Sequence, residues 1–162
     1  MAVIVETGSG DNPLANSYGD EVGLQDYADA RGTVIAGDLS QLLIRAMDYA
    51  ETLDYKGSKV QPGVQPLQHP RSGLVIDGYS VPSDSIAIEM ITAQYVTALS
   101  IDAGLDPLAT VEPAVKREKV DVLEVEYQDG ASSSSYNPEI NRAYSKLVTG
   151  SGGGNQISVV RA

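Results

Sequence analysis

The chain has no cysteine, no phenylalanine and no tryptophan, and it has a single histidine. The lack of cysteine excludes a disulfide scaffold, a thiolate metal site and a cysteine nucleophile. With His69 alone, a metal site built on two histidines is impossible, and a serine triad would have to use this one residue beside a proline. We therefore predict that the protein is not an enzyme and holds no metal or cofactor. His69 itself is interpreted as a structural or solvated residue of a proline-rich loop.

Basic residues are scarce as well. Eleven lysines and arginines stand against 22 aspartates and glutamates, which gives a net charge of −11. Such an acidic chain is poorly suited to binding a phosphate backbone, which depends on clustered Lys and Arg side chains. No segment reaches the length of a membrane-spanning helix, and no basic signal-peptide start is present, so we expect no membrane partner. The 162 residues are expected to form one domain.

Four helices are predicted from the spacing of apolar residues at i, i+3, i+4 and i+7. Asp38 caps the second helix, with Gln41 as its capping-box partner, and Asn137 followed by Pro138 begins the last. The third is apolar around most of its circumference, which is typical of a central helix. The segment 58–81 is rich in proline and glycine, and we expect no regular element in it. The predicted helices cover, in order, residues 20–31, residues 38 to just before 57, residues 83 or 84 to 103, and residues 137–148.

A β-hairpin is predicted at 115–127, where the period of the sequence changes to two. With its turn at Asp121-Val122, Lys119 lies opposite Glu124 and Arg117 lies opposite Glu126. Opposite charges directly across a hairpin each contribute about 0.2–1 kcal/mol and help to fix the register. Because a two-stranded ribbon is marginal alone, we expect it to pack on its own domain or on a neighbouring subunit. Arg117, Lys119, Glu124 and Glu126 are therefore candidate inter-subunit contacts.

Two further features are candidates for binding. Residues 149–162 combine a glycine-rich hinge with a short apolar segment, and such a tail either docks on a partner by strand addition or is a disordered end. Its candidate docking residues are Ile157, Val159, Val160 and Arg161. Arg71, in a Pro-Arg-Ser-Gly turn, ties the long loop to a helix carboxylate or carbonyl, or else reaches an adjacent subunit. We favour the internal tie, because long ordered loops need one.

The order of these motifs resembles a family of tailed-bacteriophage proteins, the head–tail adaptors, also called connectors or head-completion proteins. The resemblance is carried by Asn16-Ser17-Tyr18, Arg31-Gly32, the block QLLIRAMDYAETLDYKGSKVQPGVQPLQHPRSG at 41–73 and the run VKREKVDVLEVEYQDG at 115–130. It covers most of residues 1–148. Many members carry an automatic name that describes a DnaT-like single-stranded-DNA-binding protein. His69 departs from the pattern, since the resemblance implies a tryptophan there.

From the four predicted helices and the hairpin we expect a mainly α fold, a four-helix bundle with a projecting β-hairpin and extended N- and C-terminal arms. Residues 1–148 would form the adaptor domain, and residues 149–162 a flexible docking tail. The implied function is structural: a homo-oligomeric ring, matching a dodecameric portal, that sits between the portal protein and the tail or neck (stopper) protein. Genomic DNA would pass through its channel without specific binding. The protein would be assembled in the bacterial host cytoplasm and end in the neck of the virion.

A second interpretation takes the automatic name literally, as a replication accessory protein that binds single-stranded DNA. The net charge of −11 argues against it. A small hydrolase is nearly excluded, because no nucleophile and base occur together in the sequence.

Overall fold

The computed structural model describes residues 2–109 and 137–150, and the backbone of 115–119 and 124–127. Within these ranges no helix combines the length and the apolar character needed to cross a membrane. The described elements, in chain order, are α1 (Glu21–Asp29), α2 (Leu39–Ala50), β1 (Ser58–Lys59), β2 (Arg71–Ser72), β3 (Val75–Ile76), β4 (Tyr79–Ser80), α3 (Ile88–Asp102), β5 (Val115–Lys119), β6 (Glu124–Tyr127) and α4 (Pro138–Tyr144).

Side-chain caps begin three of the four helices. The Asp20 carboxylate accepts a hydrogen bond from Gly23 N at the start of α1, and Asp38 accepts one from Gln41 N at the start of α2. Asn137 caps α4 through two backbone N–H groups, with Pro138 in the first turn. A cap satisfies donors that have no partner inside the helix, and its residue pattern is local. These starts therefore agree with the sequence prediction.

The third helix begins later than predicted. Its first residue is Ile88, and Ala87 at the cap position provides no side-chain hydrogen bond. Ser85 donates through both its backbone N–H and its hydroxyl to the carbonyl of Pro82, so the residues expected to start the helix form a turn instead. A Cβ on Gly8 would lie 2.3 Å from the carbonyl oxygen of Asp84, which shows how closely the N-terminal arm packs on that turn.

The prediction of a four-helix bundle is wrong. Helix α3 is central, as expected, and contacts each of the other three helices. Helix α4 is only seven residues long, and it reaches α2 through the ring contact between Tyr144 and Tyr49. The remaining apolar surface of α3 and α4 is covered by irregular chain. The larger core cluster contains Ala15 and Tyr18 from the N-terminal arm and Tyr55, Leu67, Leu74 and Ile76 from the segment after α2. Bulky side chains on loops thus replace the long helices of a bundle.

The proline-rich segment also contains regular structure that the sequence did not predict. Strand β1 pairs antiparallel with β2, and β3 pairs antiparallel with β4. Each strand has two residues, which is too short to show a period of two in the sequence. The segment is consequently an ordered part of the fold that runs from α2 to α3.

Candidate functional site

The long segment between α2 and α3 is fixed by a cluster of polar side chains, which we call the loop anchor: Tyr18, Glu51, Gln68, His69 and Arg71. Tyr18, His69 and Arg71 are buried, and Glu51 and Gln68 are half-buried. The cluster joins the N-terminal arm, the end of α2 and the segment itself.

Arg71 is the hub of the loop anchor and is 9% exposed. Its guanidinium donates to the carbonyl oxygens of Tyr55 at 3.2 Å, Lys56 at 2.7 Å and Gly57 at 2.8 Å. It also donates to the backbone and side-chain oxygens of Gln68 at 3.1 and 3.0 Å. A planar guanidinium has five N–H donors in a fixed fork, and these bonds engage all three of its nitrogens. In the described chain Arg71 therefore ties the loop to the backbone that follows α2.

Tyr18 and Glu51 connect the arm to the same segment. The Tyr18 hydroxyl donates to Glu51 Oε1 at 3.1 Å and accepts from the backbone N–H of His69 at 2.9 Å. The Gln68 N–H donates to the same Glu51 oxygen at 2.9 Å. Burial raises the pKa of the Glu51 carboxyl, and the bonds from Gln68 and Tyr18 oppose the rise. The carboxylate is thus used to hold two backbone segments in place.

His69 is completely buried, and its ring packs edge-on against two tyrosines. The ring centroids lie 5.9 Å from Tyr18 and 4.9 Å from Tyr55. Neither ring nitrogen has a hydrogen-bond partner among the residues that the structure describes. Burial, together with the nearby Arg71 cation, lowers the pKa of His69 to about 3. The imidazole is therefore neutral near pH 7 and serves as a packing group, which agrees with the structural interpretation of this residue.

Gln94 is a functional side chain that sequence reasoning missed. It lies in the middle of α3 and is fully buried. Its Oε1 accepts from the backbone N–H groups of Tyr18 at 2.9 Å and Gly19 at 3.0 Å. Its Nε2 donates to Ser17 Oγ at 2.8 Å and to the Leu43 carbonyl at 3.0 Å. All four hydrogen-bonding positions of the amide are used, so this residue locks the arm and α2 to the central helix. The available signal was an amide side chain in the middle of a helix that is apolar around most of its circumference.

The hairpin has the register that the sequence predicted. Lys119 pairs with Glu124 and Arg117 with Glu126, and an irregularity lies between Val115 and Arg117. The proposed turn at 121–122 lies outside the described residues, as do Ile157, Val159, Val160 and Arg161. Among the described helices and strands, β5 and β6 contact only each other.

Two kinds of binding site are relevant to the described residues, a metal site and an aromatic, cationic cleft. In the described ranges no three His, Asp or Glu side chains are grouped so that they could hold a metal ion. Arg31 stacks over the ring of Tyr27, 3.3 Å from its centroid, at a cleft of about 500 Å³ between the ends of α1 and α3 and the start of α4. Glu139 also lines this cleft, so it is not a purely basic surface.

Comparison with known proteins gives one match. A family model described as "Putative DnaT-like ssDNA binding protein" matches residues 1–162. No curated protein sequence and no solved structure matches the chain. The matched region spans the arm, the loop anchor, the hairpin and the C-terminal segment together. The chain therefore belongs to the family of DnaT-like single-stranded-DNA-binding proteins, as that family is described.

Proposed function

We propose that this protein is a structural component of a phage virion, a head–tail adaptor that forms a ring between the portal and the tail. The observation that carries the proposal is the β5–β6 hairpin, in which Arg117 lies opposite Glu126 and Lys119 lies opposite Glu124. Since a two-stranded ribbon is marginally stable alone, it needs a surface to pack on. A neighbouring copy in a ring would supply that surface, and Arg117, Lys119, Glu124 and Glu126 are the proposed contacts between subunits.

The net negative charge of the chain favours a channel through which DNA passes rather than a surface that binds DNA. With a net charge of −11, the protein repels DNA, and this repulsion would keep the passing genome from being trapped in the channel. Single-strand binders usually combine a positive groove with aromatic stacking platforms. Tyr18 of the loop anchor and Tyr55, which packs against His69, are instead buried, at 1% and 6% exposure.

The loop anchor supports a role in fixed assembly contacts. Because Arg71, Glu51 and Gln94 hold the arm and the long segment to the helices, little chain has to be ordered when a partner binds. Preorganisation of this kind lowers the entropic cost of association. The C-terminal residues 157–161 are the candidate contact with the portal or with the tail or neck protein.

A second function, single-stranded-DNA binding, is favoured by the description of the family to which the chain belongs. The Arg31–Tyr27 stack is the described feature closest to an aromatic and cationic platform. In this case the affinity would fall steeply as salt rises, because counterions are released on binding.

Two binding assays on the purified full chain separate the functions. The adaptor function predicts co-purification with the portal protein and no oligonucleotide binding at moderate salt. Tight, salt-dependent binding of a single-stranded oligonucleotide without portal binding would replace it by the second function. A variant lacking residues 150–162 is expected to keep its helical content, measured by circular dichroism, and to lose portal binding; retained binding would remove the tail from the proposal.

A further inference from the structure

The turn between β3 and β4 consists of Asp77 and Gly78 alone, since Ile76 pairs with Tyr79. Both turn residues have positive φ, 51° at Asp77 and 83° at Gly78. This is the backbone of the favoured two-residue hairpin turns, and Asp-Gly is one of their preferred sequences. Among the described residues, Asp77 is the one that has positive φ without being glycine. A side chain is crowded in that conformation, which favours a change that takes the backbone out of it.

Asp77 and Gly78 are also open to solvent. The Asp77 side chain is 69% exposed, and a Cβ placed on Gly78 would meet no atom within 4 Å. Because Gly78 has no side chain, the backbone nitrogen that follows Asp77 is unshielded. A bond between this nitrogen and the carboxyl carbon of Asp77 closes a five-membered ring. The turn therefore places a nucleophile and an acyl group next to each other at an accessible position.

The reaction that these two groups allow is succinimide formation. The Gly78 nitrogen forms a bond to Asp77 Cγ, and the carboxyl hydroxyl leaves as water with the N–H proton. Water then opens the ring. Attack at Cγ restores aspartate, whereas attack at the backbone carbonyl carbon of Asp77 leaves Gly78 linked through Cγ, which is isoaspartate. The water released in the first step is taken up in the second, so the reaction needs no oxidant or reductant and leaves the mass unchanged.

Lys146, just after α4, restrains the Asp77 carboxyl group. Its Nζ donates to Asp77 Oδ2 at 2.5 Å. This hydrogen bond raises the pKa of Lys146, so the ammonium group is charged near pH 7. Ring closure has to draw the carboxyl group onto Gly78 and to expel one of its oxygens, so the contact with Lys146 has to break first. Since the ion pair is exposed, it slows the reaction without preventing it.

Isoaspartate at this position would change the hairpin. It adds a methylene carbon to the backbone of a turn whose length sets the pairing of Val75 with Ser80 and of Ile76 with Tyr79. Ile76 is 5% exposed and belongs to the larger core cluster. A longer turn would therefore loosen the contact between the hairpin and the core.

We propose that Asp77 is a site of spontaneous isoaspartate formation in the folded protein, and that Lys146 limits the rate at which it forms. The proposal concerns the ageing of the chain and does not rest on the proposed function. The sequence has a second Asp-Gly pair, Asp129-Gly130, which lies outside the described residues and serves as a reference within each sample.

Ageing of the full chain near pH 7, followed by peptide mapping, tests the proposal. Electron-transfer fragmentation identifies isoaspartate in the peptide that contains residue 77, because isoaspartate and aspartate have the same mass but fragment differently. Lys146→Ala removes the ion pair. Its matched control is Arg142→Ala, which removes a like charge from an exposed position in the last turn of α4, and Lys146→Arg keeps the cation. Circular dichroism checks that each variant is folded.

Isoaspartate at residue 77 should accumulate in the parent, and roughly two- to five-fold faster in Lys146→Ala, the range expected when an exposed ion pair no longer has to break. Arg142→Ala and Lys146→Arg should keep the parent rate, with the yield at residue 129 as the reference. Equal rates in Lys146→Ala and Arg142→Ala would overturn the role of Lys146. An unmodified Asp77 in folded Lys146→Ala, over a period in which the same chain unfolded in guanidinium chloride becomes modified, would overturn the site itself.

Discussion

Replacing His69 by phenylalanine should remove an acid sensitivity that the fold builds into its core. The imidazole is fully buried, and its pKa is lowered to about 3, whereas an unfolded histidine has a pKa near 6.5. The folded state therefore excludes a proton that the unfolded state accepts. The free energy of unfolding therefore falls as the pH is lowered: the stabilising effect of a neutral His69 is complete above pH 6.5 and is lost as the pH falls from 6.5 toward 3.

The size of the effect follows from proton linkage. Between pH 7 and pH 5 the unfolded state gains nearly one proton at this residue and the folded state almost none, which lowers the free energy of unfolding by about 2 kcal/mol. His69 is the only histidine, so no other imidazole contributes. Glu51, whose pKa burial raises, is present in both proteins, and its effect cancels in the difference.

Phenylalanine keeps the edge-on contacts with Tyr18 and Tyr55 and removes two ring nitrogens that have no partner. Removing such polar atoms stabilises by roughly 1–3 kcal/mol, and the larger ring costs a similar amount, so the difference at pH 7 is expected to be small. Urea unfolding of both proteins at pH 7 and pH 5 measures the pH-dependent part. The parent should lose about 2 kcal/mol more than His69→Phe over this interval. Equal losses would mean that the imidazole takes up a proton in the folded protein as readily as in the unfolded one, and would refute the reasoning.

Three further substitutions test the packing of the anchor and the arm. Gln94→Leu leaves the N–H groups of Tyr18 and Gly19 without their acceptor, and urea unfolding should show a loss of at least about 3 kcal/mol. A loss below about 1 kcal/mol would contradict its locking role. Arg71→Lys keeps the charge but not the five-donor fork, so limited proteolysis should cut the segment 58–81 faster than in the parent, and an unchanged rate would contradict the hub role. Gly8→Ala should lower the free energy of unfolding by roughly 1–3 kcal/mol more than Gly32→Ala. Both glycines have positive φ, but of the two only Gly8 would place its Cβ against a backbone oxygen, at 2.3 Å. Equal thermal unfolding of the two alanine variants would exclude that close contact.

The sequence predicts those parts of the fold that depend on neighbouring residues. Asp38 with Gln41, and Asn137 with Pro138, are capping patterns, and both helices begin where these patterns place them. The hairpin register could likewise be predicted from the positions of opposite charges. Local patterns were misleading at the start of α3, because the turn at 82–85 is held by hydrogen bonds to Pro82 and by the packing of Gly8.

The candidate site was predicted only in part. The Pro-Arg turn indicated Arg71 as a tie, but its partners are carbonyls after α2 and in the loop, which only the fold brings together. Gln94 could not be assigned, since its four partners lie between 51 and 77 positions away along the chain. The bundle was predicted from helix count alone, and nothing in the periodicity shows that loops with Tyr55 and Leu74 would cover the central helix.

Electron microscopy of the purified protein mixed with its portal protein tests the central claim most directly. The adaptor account predicts a closed ring of this chain that caps the portal and continues its channel, with β5–β6 hairpins at the boundaries between subunits. A portal that stays bare at saturating protein concentration, while the same preparation binds single-stranded oligonucleotides in a salt-dependent way, would contradict the account.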